Sequence, residues 1–465
     1  MISALDSRVM DANAEALGIG IDFLMGNAGK AIASLIKERF SGKRIAFVCG
    51  HGNNGGDGFA AASFLRDEDV RVYLLNPDSI RSDIVRGYLA KAGKAMPFSS
   101  CDFEFDVLVD CGLGTGLSGA LRPEYSDYVR KANEYAGTVI AVDVPTGFGT
   151  DSQIEPDITI AMHDIKEGMT EENCGEIVIA DIYMPPDAYN RTGPGDMLRY
   201  RIPSPDSHKG ASGHLLVIGG GPYYGAPAMA SMAALRIGTD LVTVAAPESV
   251  FYPIASTNPV LMIKKLSGSH LSPAHIPELL EFSRRCTAVL IGPGLGTDAE
   301  TQEAVRMFLE ECGIPTVIDA DGLNSLGKRF RAKVPTVLTP HAKEYERVSD
   351  TSTKDEGSVR RAASSMGCTI LLKGKEDIVS DGVRCRINGT GCAGMTGAGT
   401  GDVLAGIVAG LLAKGLSAFD AACLGAYISG KAGERAFDRL SYGMIATDVI
   451  DCIPLVLKDG LETVR

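Results

Sequence analysis

The residues best suited to chemistry lie in two glycine-rich segments, each of which contains an aspartate. The later segment, NGTGCAGMTGAGTGDVLAGIVAGLLAKG at 388–415, has four glycines between Gly394 and Gly401 and then Asp402. Backbone N–H groups in such a loop can hold a phosphoryl group during its transfer. Asp402 is predicted to start the apolar helix that follows, where its carboxylate can take a proton from a substrate hydroxyl. A plain helix cap at Asp402 is the alternative interpretation.

The earlier segment, CGHGNNGGDG at 49–58, directly follows the strand-like run RIAFVCG at 44–50. It is neither a GxGxxG fingerprint nor a Walker loop, since no lysine follows. Its glycines allow the backbone to approach a ligand closely, and a helix that begins near Asp57 favours an anion at its N-terminus. The segment therefore predicts a phosphate or carboxylate site, with a ligand-free glycine turn as the alternative.

Two further strand ends carry polar side chains. Asp110 ends DVLVDCG and precedes the glycine-rich run GLGTGLSGA at 112–120, while Asp143 and Thr146 follow the strand-like run TVIAVDVP. In an open parallel sheet the ligand lies beyond the carboxyl ends of the strands. Loops after three strands are therefore expected to meet in one cleft, although single aspartates at strand ends also serve as turn caps.

The elements that would position these groups form two α/β domains. Short β-branched runs alternate with amphipathic segments from about residue 40, the βαβ pattern of a parallel sheet with helices on both faces. The pattern stops over 185–210, which has five prolines, and restarts at HLLVIGGG. We predict domains at 1–200 and 201–465, each a largely parallel sheet, with the first one Rossmann-like.

Composition excludes several classes of protein. A net charge of −13 argues against a nucleic-acid surface. The apolar run 403–413 is far shorter than the ~20 residues of a membrane span, and the N-terminus has no signal-peptide pattern. The 11 cysteines are odd in number and scattered, as in a reduced compartment. We expect a cytoplasmic protein with no nucleic-acid or membrane partner, and a homo-oligomer is compatible with this class.

The motifs of the first half, NNGGDG, D-x-x-x-GTGLSG and VD-x-P-T-G, resemble the NAD(P)HX epimerase family when taken in this order. The resemblance covers roughly residues 1–200, including MGNAG at 25–29 and CGEIVIADI at 174–182. It implies a set of residues that bind the hydrated dinucleotide. These are Asn53, Asn54, Gly55, Gly56, Asp57, Gly114, Thr115, Gly116, Leu117, Ser118, Gly119, Ala120, Tyr125 and Asp143.

The same resemblance implies a catalytic group and a metal ion. Asp143 would face the reacting ring, and a carboxylate there can act as acid and base. Asn54, Asp110 and Thr146 would hold a potassium ion, for which amide, carboxylate and hydroxyl oxygens are suitable ligands. The family usually has serine where this chain has Thr146. That difference keeps the hydroxyl and affects only the affinity for the ion.

The GAGTGD stretch of the second half resembles the ribokinase-like superfamily, so a ribokinase-like fold is expected there. Further segments resemble the ADP-dependent NAD(P)HX dehydratase family over about 205–460. They are SHKG at 207–210, IGPGLGTD at 291–298, DADGLN at 319–324, LTPHAKEYERV at 338–348 and LLKGKEDIV at 371–379. The family usually reads DADALN, and Gly322 departs from this with no evident chemical consequence.

The second resemblance implies roles at two ligands. Ala226, Gly294, His341 and Asp402 would contact the hydrated dinucleotide, although a strand-end histidine is often satisfied by its neighbours. The adenine nucleotide would be bound by Lys373, Gly374, Lys375, Glu376, Asp377, Gly401 and Asn324. The implied reaction uses ADP as co-substrate and magnesium as charge neutraliser.

The resulting hypothesis is a bifunctional enzyme that repairs hydrated nicotinamide nucleotides. One domain would interconvert R- and S-NAD(P)HX, and the other would dehydrate the S epimer to NAD(P)H while ADP becomes AMP and phosphate. The alternative is a ribokinase-like small-molecule kinase fused to a non-catalytic nucleotide-binding module, because fold does not fix function. The additional segments and the intact Asp143 favour the repair enzyme over this alternative.

Overall fold

The computed structural model describes residues 1–116, 119–327, 330–349 and 351–464. The chain divides into two compact units, 1–188 and 189–465. The segment 189–200, which the sequence assigned to the first domain, is part of the second unit. The N–H of Thr192 donates to the carbonyl of Ile387 at 2.9 Å, and buried Asp196 forms an ion pair with buried Arg386. These long-range contacts attach the proline-rich segment to the second sheet.

The first unit contains seven parallel strands and the helices around them. Its strands are β1 (Arg44–Cys49), β2 (Asp69–Leu74), β3 (Ala95–Pro97), β4 (Val107–Cys111), β5 (Thr138–Val142), β6 (Ile158–Met162) and β7 (Glu176–Ala180). Its helices are α1 (Ala4–Ala16), α2 (Ile21–Phe40), α3 (Asn53–Ser63), α4 (Asp83–Ala92), α5 (Pro123–Asn133), α6 (Glu171–Cys174) and α7 (Asp187–Asn190), the last of which crosses the unit boundary.

The strand order of the first sheet is β3-β2-β1-β4-β5-β6-β7. Strand β4 is buried along its whole length, and all of β1 except Arg44 is buried, as expected for apolar strands covered on both faces. The chain runs outward from β1 to β3 and then returns to place β4 on the other side of β1. This reversal creates a crevice at the carboxyl ends of β1 and β4, where ligands bind in open α/β sheets.

The second unit has nine strands and a largely helical C-terminal part. Its strands are β8 (His214–Ile218), β9 (Leu241–Pro247), β10 (Met262–Leu266), β11 (Ala288–Ile291), β12 (Thr316–Ile318), β13 (Thr336–Leu338), β14 (Thr369–Leu372), β15 (Asp377–Ser380) and β16 (Cys385–Asn388). Its helices are α8 (Gly225–Arg236), α9 (Glu248–Ala255), α10 (Ile276–Ser283), α11 (Ala299–Glu311), α12 (Asp321–Asn324), α13 (Ala342–Ser349), α14 (Glu356–Met366), α15 (Thr400–Ala413), α16 (Ala418–Leu440) and α17 (Ala446–Thr463).

The strand order of the second sheet is β10-β9-β8-β11-β12-β13-β14-β15-β16. The pairs from β10 to β14 are parallel, and β15 and β16 extend the sheet as an antiparallel hairpin. The chain reverses its direction of travel between β8 and β11, as it does between β1 and β4. The second unit therefore has its own crevice, at the carboxyl ends of β8 and β11.

Helix α15 forms the centre of the second core. Every residue of the apolar run 403–413 is buried. The helix packs directly on α8, since a Cβ at Gly406 would lie 2.1 Å from the carbonyl oxygen of Ala230. This close contact fixes the position of the glycine loop that precedes α15.

The predicted class, two largely parallel α/β domains, is confirmed. The structure adds elements that the alternation of the sequence did not predict: α1, α2, the edge strand β10 and the β15–β16 hairpin. Two helices also begin earlier than expected, α3 at Asn53 rather than near Asp57 and α15 at Thr400 rather than at Asp402. None of the helices in the described ranges is long and apolar enough to cross a membrane.

Candidate functional sites

The first candidate site depends on close contact between the loops after β1 and β4. A Cβ at Gly50 would lie 1.9 Å from the carbonyl oxygen of Gly112, so only glycine fits there. Helix α3 begins immediately afterwards with Gly52 at its N-cap, and no side chain caps the helix. Its first backbone N–H groups are therefore available to an anionic ligand.

A cavity of about 440 Å³ lies at this point. Seven of the residues assigned from the sequence line it: Asn53, Asn54, Asp57, Gly114, Thr115, Gly116 and Asp143. Gly55 and Gly56 are buried inside α3, Gly119 and Ala120 are exposed, and none of these four lines the cavity. Leu117 and Ser118 lie outside the described residues. Tyr125 is buried, and its hydroxyl lies 3.1 Å from Nδ1 of the cavity residue His51.

Asp143 is held by a buried lysine that sequence reasoning missed. Its backbone has φ of +66°, a conformation unusual for a non-glycine residue and one that clusters at functional sites. The N–H of Asp143 donates to the carbonyl of Ile160 at 2.8 Å. Its carboxylate forms an ion pair with Lys166, which is 2% exposed and also donates to the carbonyl of Met162 at 2.6 Å. The lysine thus fixes the carboxylate at the cavity wall.

Two more carboxyl groups line the same cavity. Burial, together with the charge of Asp143, raises the pKa of Asp11 to about 6, against an opposing effect of Lys166. Burial and the charges of Asp143 and Asp11 also raise the pKa of Asp57 well above its usual range. Like charges that share a site cannot all ionise easily. The cavity therefore combines an ion-paired carboxylate with neighbours that retain a proton to higher pH.

Of the three residues assigned to potassium, Asp110 and Thr146 are hydrogen-bonded to each other, and Asn54 lines the cavity. Asp110 is fully buried and accepts hydrogen bonds from neutral groups, which include the Thr146 hydroxyl at 2.7 Å and the Tyr128 hydroxyl at 3.1 Å. Burial raises the pKa of Asp110, and these hydrogen bonds oppose the rise. Neither polar atom of the buried Asn54 amide has a hydrogen-bond partner among the described residues. A buried carboxylate with neutral partners and an unpartnered amide are the features that a bound cation would satisfy.

The second candidate site lies at the start of α15. Gly399, with φ of +91°, is the N-cap, and Asp402 is the third residue of the helix. The interpretation of Asp402 as the cap is therefore wrong. Burial raises the pKa of Asp402 to about 7; Asp319 and Asp321 add to the rise, and Lys373 opposes it. A carboxyl group with a pKa near neutrality is well matched to general-base work.

Lys373 lies beside this helix start, but its ion pair is with another aspartate. Its Nζ donates to Oδ1 of Asp319 at 2.9 Å, and the hydroxyl of Thr339 donates to the same oxygen at 2.8 Å. Burial lowers the pKa of the Lys373 ammonium, but Asp319, Glu344 and Asp402 outweigh this effect and raise it. The lysine is therefore charged, and it is close to the glycine loop: a Cβ at Gly401 would lie 3.4 Å from Nζ.

A cavity of about 880 Å³ adjoins the lysine. Its lining includes six of the seven residues assigned to the nucleotide: Lys373, Gly374, Lys375, Glu376, Asp377 and Gly401. The segment 373–377 is shaped by its own bonds, since the carboxylate of Asp377 accepts from the Gly374 N–H and from the Asn388 amide, both at 3.0 Å. The seventh residue, Asn324, does not line the cavity; its amide donates to Asp321 at 3.2 Å.

The residues assigned to the dinucleotide lie on other loops of the same sheet edge. A Cβ at Gly294, whose φ is +68°, would lie 2.3 Å from the carbonyl oxygen of Tyr223, so the loop after β11 contacts the loop that leads to Ala226. This contact is at the β8–β11 crevice. Nδ1 of His341 accepts from the N–H of Lys343 at 3.1 Å, and the His341 ring is half exposed. His341 thus has local partners and still faces solvent.

Sequence reasoning missed residues in both sites. Asp11 and Lys166 belong to segments with no strand-end or glycine signal. Asp319 lies within the quoted DADGLN motif, and Thr339 directly precedes the PH of LTPH. In both of these cases, the position immediately after a β-strand was the available signal.

The two sheets and their glycine loops define a two-domain α/β protein with a separate candidate site in each domain. The family described as NAD(P)H-hydrate dehydratase matches residues 215–455, and the family described as YjeF-related protein N-terminus matches residues 21–168. A bifunctional NAD(P)H-hydrate repair enzyme of Archaeoglobus fulgidus is 38% identical over 97% of this chain and 97% of its own. The chain belongs to the family of bifunctional NAD(P)H-hydrate repair enzymes.

Solved structures resemble the second unit. A ribokinase-like superfamily protein of Enterococcus faecalis is 27% identical with a TM-score of 0.52, over 57% of this chain and 94% of its own. An ADP/ATP-dependent NAD(P)H-hydrate dehydratase of Bacillus subtilis, co-crystallized with ATP and Mg²⁺, is 24% identical with a TM-score of 0.50, over 57% of this chain and 96% of its own. The ribokinase-like fold expected for this unit is confirmed.

Proposed function

We propose that the first unit interconverts the two epimers of hydrated NADH or NADPH, and that the second unit dehydrates one epimer at the expense of ADP. The observation that carries this proposal is the arrangement at the start of α15. There, Asp402, with a pKa of about 7, directly follows Gly401, and Gly401 and the charged Lys373 line a cavity of about 880 Å³. Such a site suits transfer of a phosphoryl group to a substrate hydroxyl.

Epimerisation at the first site would use Asp143 as the base. The carbon that carries the added hydroxyl must lose and regain its substituent, and this requires removal and return of a proton. The carboxylate of Asp143, fixed by Lys166, is the group that takes the proton. Asp11 and Asp57, whose pKa values are raised, are neighbours able to supply one. The uncapped N-terminus of α3 would bind the pyrophosphate.

We infer a potassium ion beside this site, with Asn54, Asp110 and Thr146 as its ligands. The unpartnered Asn54 amide and the buried Asp110 carboxylate support this assignment. When bound, the ion would supply positive charge next to the anionic ligand. The side chains of Asn54, Asp110 and Thr146 would then order the loops that begin at Gly52 and Gly112.

Dehydration at the second site would begin when Asp402 removes the proton from the ring hydroxyl. That oxygen attacks the terminal phosphorus of ADP, and AMP leaves. The phosphate then leaves, the neighbouring ring carbon loses a proton, and the ring double bond of NADH or NADPH forms. Lys373, beside Gly401, would stabilise the charge on the transferring group. ADP converts a poor leaving group into a good one.

Magnesium would accompany the nucleotide, bound through its phosphates and water, which is the usual mode for this ion. It would neutralise phosphate charge during transfer. The Bacillus subtilis protein of the same fold was co-crystallized with ATP and Mg²⁺, so ATP is a second candidate donor. No side chain of this chain is assigned to the magnesium ion.

The decisive assay follows NADH absorbance after the enzyme is added to mixed NADHX epimers with magnesium and either ADP or ATP. Wild-type protein should recover all of the NADH. Asp143→Asn should recover about half within the first minutes, before the epimers equilibrate unaided, and Asp402→Asn should lose about 10²- to 10⁴-fold in rate, the usual contribution of a general base.

Two outcomes would contradict the proposal. If neither ADP nor ATP supports recovery, the second unit is a ribokinase-like kinase for another alcohol. If Asp143→Asn recovers all of the NADH as fast as the wild type, the first unit is a binding module without catalysis. Arg130→Ala, which removes exposed i,i+3 and i,i+4 ion pairs on α5, is the control for both variants and should match the wild type.

A further inference from the structure

Three adjacent strands of the second sheet end in a connected set of polar groups. Asp319 follows β12, Thr339 follows β13 and Lys373 follows β14. Oδ1 of Asp319 accepts hydrogen bonds from both of the others, at 2.8 Å from Thr339 and 2.9 Å from Lys373. Asp319 is 2% exposed, so its charge is compensated inside the protein and not by solvent.

The lysine of this set has three carboxylates within electrostatic reach but forms its hydrogen bond with only one. Asp319, Glu344 and Asp402 all act on the charge of Lys373, and the hydrogen bond is made to Asp319. The backbone N–H of Lys373 donates to the carbonyl of Pro340 at 2.8 Å, which fixes the main chain. The remaining freedom is that of the lysine side chain, and its position depends on which carboxylate binds it.

We propose that Asp319 is a positioning residue for phosphoryl transfer: it holds the ammonium of Lys373 beside Gly401 and prevents it from pairing with the candidate base Asp402. This inference rests on the proposed function and adds to it a residue that does not reach the substrate. Thr339 supports Asp319 by donating to the same oxygen, which fixes the rotamer of the carboxylate.

The physical argument is a competition for one cation. An ammonium that paired with Asp402 would stabilise the ionised carboxylate and weaken it as a base. The same ammonium bound to Asp319 remains available to the phosphoryl oxygens, since a lysine has three N–H donors. Asp319 therefore serves both partners of the reaction: the phosphate keeps its cation, and the base keeps its affinity for the proton.

The charged groups that act on Asp402 come from three parts of the fold. Asp319 and Asp321 lie between β12 and the first turn of α12, and Lys373 lies after β14. Glu344 of α13 acts on the charge of Lys373. Removal of the Asp319 charge should change the pKa of Asp402 in one direction only, because it takes away a negatively charged neighbour and frees the positively charged Lys373. Both changes make Asp402 release its proton at lower pH.

The test is Asp319→Asn, assayed for NADH recovery between pH 5.5 and 9 with saturating ADP and magnesium. The amide keeps the shape and one acceptor oxygen but not the charge. We expect kcat to fall about tenfold, the lower end of what loss of an orienting partner costs, and the acidic limb of the pH profile to move to lower pH. An unchanged limb with a lower kcat would mean that Asp319 is only structural, and an unchanged kcat would overturn the proposal.

The matched control is Asp196→Asn, which neutralises a buried aspartate paired with buried Arg386 in the same unit, outside the cavity lining. It should reduce stability and leave the pH profile in place. A double variant tests the connection itself. Because Asp319 acts through Lys373, Asp319→Asn added to Lys373→Met should slow the enzyme no further, whereas multiplied losses would show two independent roles.

Failure of the inference about Asp319 can be distinguished from failure of the proposed function. If wild-type protein recovers no NADH under any condition, the proposed function fails, whatever Asp319 does. If the wild type is active and Asp319→Asn matches it in kcat and pH profile, only this inference fails. Isothermal titration with ADP and magnesium adds a readout without turnover, in which Asp319→Asn should bind the nucleotide more weakly than the wild type, because Lys373 is then drawn from the phosphate toward Asp402; an unchanged affinity would contradict the proposed competition.

Discussion

The two sites use the same pair of residue types, a lysine and an aspartate that follows a strand, but connect them differently. In the first site Lys166 forms an ion pair directly with Asp143, the candidate base. In the second site Lys373 forms its ion pair with Asp319 rather than with Asp402, the candidate base. The contrast shows that the partner of the lysine, rather than its presence, decides what the nearby carboxyl group can do.

The consequence is a different distribution of protons. In the second site the candidate base itself has a raised pKa of about 7, set by burial and by Asp319. In the first site the raised pKa values belong to the neighbours, Asp11 at about 6 and Asp57 well above its usual range. Groups whose environments push their pKa values apart are suited to separate acid and base roles. The first cavity is therefore arranged for an exchange of protons, and the second for removal of one.

The largest effect is expected from Lys166→Met. Lys166 forms an ion pair with Asp143, and the lysine is only 2% exposed. Its removal leaves the Asp143 carboxylate without the partner that fixes it at the cavity wall. Epimerisation should slow about ten- to a hundredfold, while dehydration of the accepted epimer is unchanged. Chromatographic separation of the two epimers over time measures this rate.

The control for Lys166→Met is Lys131→Met, which removes an exposed i,i+4 pair with Asp127 in the same unit. It should leave both reactions unaltered. If Lys166→Met left the rate of epimerisation unchanged, the ion pair with Asp143 would have no part in the chemistry of the first site, and the contrast between the two connections would be wrong.

The fold class followed from the sequence because its evidence is local. The strand-like runs RIAFVCG, TVIAVDVP and HLLVIGGG begin at the same residues as β1, β5 and β8. Strand β10 was missed because its burial is incomplete and two lysines, Lys264 and Lys265, interrupt its apolar pattern. The β15–β16 hairpin was missed although its four-residue connection contains Asp381 and Gly382, a dipeptide typical of hairpin turns.

The sites followed only in part, because the missed residues act through contacts that are distant in sequence. Lys166 is 23 positions from Asp143, and Asp319 is 54 positions from Lys373. Glycine loops and strand-end aspartates can be recognised from the local sequence pattern. The partner of a buried charge depends on which distant residues the folded sheet brings together. Asp319 could have been found from its position directly after a strand; Lys166 had no comparable signal.

A smaller effect is expected from potassium at the first site. At ten times its Kd a ligand that binds only the native state stabilises it by about 1.4 kcal/mol. Potassium should therefore raise the melting temperature of the first unit above that in tetramethylammonium at equal ionic strength. Asn54→Ala should remove the response at little cost in hydrogen bonds, because the Asn54 amide has no partner among the described residues. Equal responses in wild type and variant would exclude Asn54 as a ligand.

The smallest effect is on stability, and it tests the comparison without any substrate. The pKa of Asp402 is raised from 3.8 to about 7, so the native state holds this proton to higher pH than the unfolded chain does. Its contribution to stability is therefore lost as pH rises from about 4 to about 7, and the ionised carboxylate is unfavourable above that range. Asp402→Asn should raise the melting temperature of the second unit by a few degrees at pH 8 and by a smaller amount at pH 5. Asp319→Asn, which breaks the ion pair with Lys373, should lower the melting temperature at both pH values. If Asp402→Asn lowered the melting temperature at pH 8, Asp402 would have to be in a stabilising ion pair, as Asp143 is with Lys166.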